Sequence, residues 1–413
     1  MGKSLVLFGL MCLGVFSIMG QEKNSDITLD LEGFIKHDVF YDTRQVVSAR
    51  EGHFLLWPRR QEEDSEGRDI NAQSSFNMLS LQSRLSGRVS GPDLLGAQTS
   101  GRLEGDFFAQ ANDNIHLFRL RHAFIRLDWE DTHLTMGQYW NPLFVTSCFP
   151  ATVSFNTGVP IQPFARNPQI RLRQEIGRFD VILAALSQRD YVSHAQGKAS
   201  SRFLRQSGLP DMHLQLHYAA SQWKAGAGLA YKAIVPRLQT GVGLATDARV
   251  SGWSFLAFTS LQLDAFTIKL EAFSGQNVSD VLQISGYAVE QMNPTTDQRS
   301  YLPRRNFSLW ADIHTNGKPF QAGLFAGYTR NLGTPSPVID NPQLIYGFGN
   351  QIASLYRIAP RILYHANPLR FALEVEYTSA AFGQEFDRHA VPVNLHRTTN
   401  MRILFATYYF FNR

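Results

Sequence analysis

Apolar and polar residues change places every second position along much of this chain, in segments joined by connections that are by turns short and long. In ITLDLEGFIKHDVFYD one parity carries Leu29, Leu31, Gly33, Ile35, Val39 and Tyr41, and the other Asp30, Glu32, Phe34, Lys36 and Asp38. MHLQLHYAA sets Met212, Leu214, Leu216 and Tyr218 against His213, Gln215 and His217. RFALEVEYT sets Phe371, Leu373, Val375 and Tyr377 against Arg370, Glu374 and Glu376. A period of two belongs to a β-strand with two unlike faces. A soluble sandwich alternates in the same way, so the connections decide.

Sixteen strands are expected, near 27–42, 76–90, 97–108, 115–127, 133–140, 169–175, 178–186, 212–221, 223–233, 249–260, 264–273, 306–314, 320–329, 354–365, 369–378 and 397–411. SGPDLLG, EDTH, EIGR, SQ, LD, TNGKP and ANP are the short connections. The long ones run 43–75, 141–168, 187–211, 234–248, 274–305, 330–353 and 379–396, with ANDN the one brief exception. Tight turns at one end and long loops at the other, around an even number of antiparallel strands, describe an all-β, transmembrane up-and-down β-barrel. Spans of about 9–11 tilted residues fit the spacing. The final stretch, RTTNMRILFATYYFFNR, then pairs with the first strand. It turns Ile403, Phe405 and Tyr409 toward lipid and Asn400 and Arg402 toward the lumen, which removes the unpaired edge.

MGKSLVLFGLMCLGVFSIMG has a basic start and a continuous apolar stretch before polar QEKNSD, the pattern of a secretory signal peptide over residues 1–20. Residues 21–413 are expected to form one barrel domain with a single cysteine, Cys148, and so no internal disulfide. No later window approaches the 18 apolar residues of a spanning helix. The net charge of +4 is too small and too dispersed for nucleic acid. There is no G-x-S-x-G elbow, H-E-x-x-H, phosphate-cradling loop or dinucleotide fingerprint, so no enzyme and no cofactor are expected. His213 and His217 are about 13 Å apart by the strand rise, too far to share a metal.

FRLRHAFIRL, LTMGQYWNPLF, FARNPQIRLR, GFIKHDVFYDTR, YRIAPRILY and the aromatic-rich end together resemble the sixteen-stranded, trimeric Gram-negative porins, particularly those of the dicarboxylate-channel type. The resemblance implies the outer membrane, a homotrimer, passage of small hydrophilic solutes, and insertion by the barrel-assembly machinery reading the C-terminal aromatic strand. Asn412 and Arg413 follow Phe411, where such porins end on the aromatic itself. It also implies that 141–168 is the third long loop, folded inward to narrow the pore. Phe144, Phe149, Phe155 and Phe164 are its packing material, and it carries no Asp or Glu and ends with Arg166.

The wall facing that loop is expected to be basic: Arg84 and Arg88 on the second strand, Arg102 on the third, Arg119 and Arg121 on the fourth, Arg171 and Arg173 on the sixth. Arg84, Arg102, Arg119, Arg121, Arg166, Arg171 and Arg173 are the candidate constriction, leaning toward anions such as small carboxylates. The plainer reading pairs these arginines with inward Glu104, Asp106, Glu175, Glu374 and Glu376. The register of the fourth strand is ambiguous, because Ile125 and Leu127 share the parity of Arg119, and Pro360 is expected at a bulge, strand start or edge. Competing readings are a structural or adhesive barrel with a filled lumen, a barrel-embedded hydrolase, and a soluble exported sandwich.

Overall fold

The computed structural model describes residues 27–109 and 111–412; the expected signal peptide lies outside the described residues. All sixteen strands are present. In chain order they are Thr28–Asp42; a second made of Ser75–Leu79 and Arg84–Leu94; Ala97–Asp106; Arg119–Asp128; Thr132–Trp140; Arg166–Ile176; Phe179–Leu186; Asp211–Ala219; Trp223–Ile234; Val250–Gln262; Phe266–Gln276; Arg305–Thr315; Phe320–Gly333; Ile352–Ala366; Leu369–Phe386; and Pro392–Phe411. Each pairs antiparallel with the next, and the last closes on the first from Gly33↔Phe411 to Asp42↔Arg402. The closed barrel leaves no strand edge to recruit another chain.

Tight turns hold one end. Leu94 pairs with Ala97 across Leu95 and Gly96, both with positive φ, as a two-residue turn compatible with strand twist requires. Ile176 pairs with Phe179 across Gly177 and Arg178. Two expected connections change. The third strand ends at Asp106 and the fourth begins at Arg119, so the connection read as the brief ANDN spans 107–118 and the exception disappears. Conversely, the loop expected over 379–396 shrinks to 387–391, because the last two strands run on as an 18-residue and a 20-residue hairpin. Pro360 lies inside its strand with no register shift: Ile358↔Tyr377 and Arg361↔Glu374 share one register, and Pro360 pairs with Leu324 on the other side.

Two irregularities re-aim side chains, as bulges do. Ser80–Ser83 interrupts the second strand, whose halves both pair with the first. Inside this break Leu81 is buried and Gln82 accepts from Lys36 Nζ at 2.6 Å. On the fourth strand Glu104 pairs with His122 but Gly105 with Leu120, leaving Arg121 as the extra residue. The shift flips parity, so Arg119 and Arg121 are buried inward while Ile125 is exposed outward, and the register ambiguity is resolved.

The outer face is an apolar band. Ile35, Leu103, Ile125, Ile170, Leu214, Phe255, Leu309, Leu373 and Phe405 are all exposed there. Aromatic side chains border it: Trp223, Phe320, Tyr364 and Tyr409 near the short-turn end, and Trp253, Phe307 and Tyr328 toward the loops. An apolar band between two aromatic girdles matches the hydrocarbon and its interfaces. Among the described residues no helix is long and apolar enough to cross a membrane.

The core lies inside the barrel, at the long-loop half. Phe54 and Trp57 from the first loop, Phe108 from the second, Phe144, Phe155 and Phe164 from segment 141–165, and Val281 and Ile284 from the sixth pack on Phe258, Phe273, Trp310 and Phe325 of the wall. Ser285–Met292, Arg299–Pro303 and Ile345–Phe348 form a small sheet within the loops.

Candidate functional site

Segment 141–165 is held by side chains that the strands turn inward. Glu374 accepts from the amides of Val153 at 2.7 Å and Ser154 at 2.9 Å. Glu376 accepts from Asn156 Nδ2 at 2.8 Å, and Asp312 from the Ala151 amide at 3.2 Å. Carbonyls of the segment accept in turn: Pro142 from Gln215, Phe149 from Lys269, Val153 from Lys36, and Val159 from Arg357. A loop without a carboxylate of its own thus takes both donors and acceptors from the wall, which satisfies its buried backbone. Cys148 is buried, its thiol donating toward the Thr259 carbonyl at 3.4 Å. Burial pushes its pKa up to about 12, so it is an inert thiol at neutral pH.

Arginines gather on the facing wall. Asp106 is bonded by Arg119 Nε at 2.8 Å and Arg121 Nη1 at 3.1 Å. Glu104 is bonded by Arg121 Nε at 2.7 Å and Arg102 Nη2 at 2.9 Å, with Arg84 Nε at 3.6 Å. Arg102 also reaches Glu32 at 2.9 Å. Arg166 is the first residue of the sixth strand, not the end of a loop, and grips Asp190 with Nε at 2.9 Å and Nη2 at 2.7 Å. Burial alone would raise the Asp190 carboxyl, but Arg166 and Arg119 beside it hold it below its ordinary value. Aromatic faces back the cations: Phe108 lies 4.7 Å from the Arg119 guanidinium, and Trp140 lies 5.0 Å from that of Arg166. Five of the seven candidate arginines therefore form one cluster with four carboxylates.

The other two sit apart. Arg173 bonds both oxygens of Asp180, at 3.1 and 3.0 Å, and Glu175 at 2.8 Å. Arg171 donates to Gln169 and the Trp140 carbonyl and has no carboxylate partner among the described residues. The plainer pairing thus holds for Glu104, Asp106 and Glu175. It fails for Glu374 and Glu376, which hold the loop, although Glu376 also meets Arg357 at 3.1 Å.

Two cavities follow this division. One of about 590 Å³ is lined by Arg84, Arg102 and Arg121 on the arginine wall, Thr152 and Phe155 of the loop, and Arg361 and Arg370 across the lumen. The other, of about 330 Å³, is lined by Arg126, Arg171, Arg173 and Lys224 with Asp180 and His217. Tyr139, Phe144 and Thr146 border both. Arg361, which grips Asp312 at 2.9 Å with each of two nitrogens, was not among the expected site residues. Its alternating position in YRIAPRILY was the available signal. Asp190 had none, because it lies past the end of the seventh strand, in a loop whose path back to Arg166 no alternation marks. Among the described residues no group of His, Cys, Asp and Glu could hold a metal ion.

No family model and no curated protein matches the chain. Solved structures do. The outer membrane channel DcaP of Acinetobacter baumannii aligns at 14% identity with a TM-score of 0.69, covering 95% of this chain and 100% of that one. Outer-membrane expressed OmpT of Vibrio cholerae aligns at 11% identity and 0.54, covering 94% and 99%. Salmonella typhi OmpF, in a complex with daunomycin, aligns at 11% and 0.53, covering 93% and 97%. A closed sixteen-stranded barrel with a basic wall, an apolar exterior and these neighbours has the fold of the outer-membrane porins.

Proposed function

We propose that this protein is an outer-membrane porin for passive diffusion of small hydrophilic solutes, with an arginine-lined lumen that leans toward anions such as small carboxylates. The observation that carries the reading is the 590 Å³ cavity, which has arginines on opposite walls and a loop without carboxylates between them. A local excess of guanidinium groups concentrates anions and offers paired donors to carboxylates. In this reading residues 1–20 direct export, residues 21–413 fold as one domain in the outer membrane of a Gram-negative bacterium, and the assembly machinery reads the aromatic last strand. A homotrimer fits as well; one OmpT structure of Vibrio cholerae, at a TM-score of 0.54, is described as a trimer form. No catalytic role and no cofactor are part of the proposal.

Liposome swelling tests it. Uptake of a small carboxylate should be faster than uptake of a neutral sugar of equal size, and equal rates would contradict the anion preference. One observation favours a second reading, a structural or adhesive barrel with a filled lumen: the apolar cluster of Phe54, Phe155, Phe164 and Trp310 occupies the long-loop half. Absence of swelling with every solute would favour that alternative.

A further inference from the structure

Toward the long loops from the arginine cluster lies a separate cavity of about 460 Å³, bounded by Phe54 and Leu56 of the first loop, Arg119 of the wall, Tyr191 and His194 of the fourth loop and Ser279 of the sixth. Four polar atoms of these residues are buried without a hydrogen-bond partner among the described residues: Arg119 Nη2, Tyr191 Oη, His194 Nδ1 and Ser279 Oγ. Arg119 and Ser279 are only 6% and 1% exposed. Buried orphans are rare in native interiors, and here four belong to residues lining one space.

Arg50 and Arg189 line the same cavity. The carboxylate there, Asp190, is engaged by two nitrogens of Arg166 and lies 3.9 Å from Arg119 Nη1, which leaves Arg119 Nη2 as the nitrogen without a partner among the described residues. Leu282 and Phe348 add apolar wall to Phe54 and Leu56. A guanidinium beside hydroxyl donors suits an oxyanion, and the volume lies in the range of small-molecule sites.

We propose that this cavity binds a small organic anion, its carboxylate or phosphate received by Arg119, Tyr191 and Ser279 and its short apolar body lying against Phe54 and Leu282. The site rests on the channel reading for its place on a solute's route, not for its chemistry. The cavity edge reaches Leu120 and Gln138, where the ladder between the fourth and fifth strands ends at Ala123↔Gln138. A lipid phosphate presents the same headgroup chemistry from that side.

Isothermal titration of hexanoate and of inorganic phosphate into the purified full chain, in phospholipid-free detergent, tests the proposal. At least one anion should bind saturably. Tyr191→Phe and Ser279→Ala, which each remove one donor and no charge, should weaken that binding about tenfold, the scale of one hydrogen bond to a charged group. Heat-modifiable gel mobility checks that both variants are folded. No saturable binding by the parent protein, or undiminished binding in both folded variants, overturns the site. Heat released only on adding phosphatidylglycerol overturns the solute and assigns a lipid headgroup. Bilayer conductance of the same preparation is read separately: conduction without binding removes the site and keeps the channel, and binding without conduction does the reverse.

Discussion

The two sides of the lumen use charge differently. On the third and fourth strands Glu104 and Asp106 are spent on arginines, and the guanidinium groups they orient line open space. On the twelfth and fifteenth strands Asp312 and Glu374 accept from loop amides, and Asp312 also holds Arg361, which lines the same open space. A carboxylate therefore only positions cations on the first side, whereas on the second it brackets the loop as well. In the channel proposed above, the first side would set which ions pass and the second, by holding the loop, would set how wide the passage is.

Removing a cation-positioning acid from the arginine side should have the largest effect. Asp106→Ala leaves Arg119 and Arg121 buried with one shared carboxylate lost, and breaking a buried pair costs about 3–5 kcal/mol. The temperature at which the heat-modifiable band disappears should fall markedly. An unchanged temperature would mean that the cluster is hydrated and the pairing weak.

On the carboxylate side, Glu374→Gln keeps one acceptor and turns an amide donor toward the other backbone N–H. Leaving one buried amide unsatisfied costs about 1–3 kcal/mol. Hydrogen exchange at Val153 and Ser154 should quicken, and single-channel current should become noisier with little change in ion preference. A large change in preference with quiet current would erase the distinction between the two sides.

The smallest stability effect is expected at Arg171, which among the described residues has no carboxylate to strand. Arg171→Ala should cost about 0.5–1.5 kcal/mol for its lost hydrogen bonds. Its effect should fall on permeation: the anion-to-cation permeability ratio should drop although the barrel remains as stable as most surface variants. An unchanged ratio would confine selectivity to the larger cavity.

The strands were legible because lipid outside and charge inside impose a parity on most of their length. Their ends were less so. Beyond the apolar band a strand needs no greasy row, and GQEF, VPVNLH and Pro392 gave no alternation to follow into the long last hairpin. The Arg121 bulge was hidden for a different reason: it is defined by Glu104↔His122 against Gly105↔Leu120, a relation between two strands that neither strand carries alone. Arginine positions on the wall could be read from parity, whereas the place of Asp190 depends on the path of the fourth loop, and the loop-holding roles of Glu374 and Asp312 on contacts between residues far apart in the chain.

The reversal potential of the reconstituted protein in a planar bilayer, under a potassium chloride gradient, tests the central claim most directly. A sign corresponding to chloride crossing more readily than potassium is the result this account predicts. Potassium preference, or a folded barrel that passes no current at all, would contradict it.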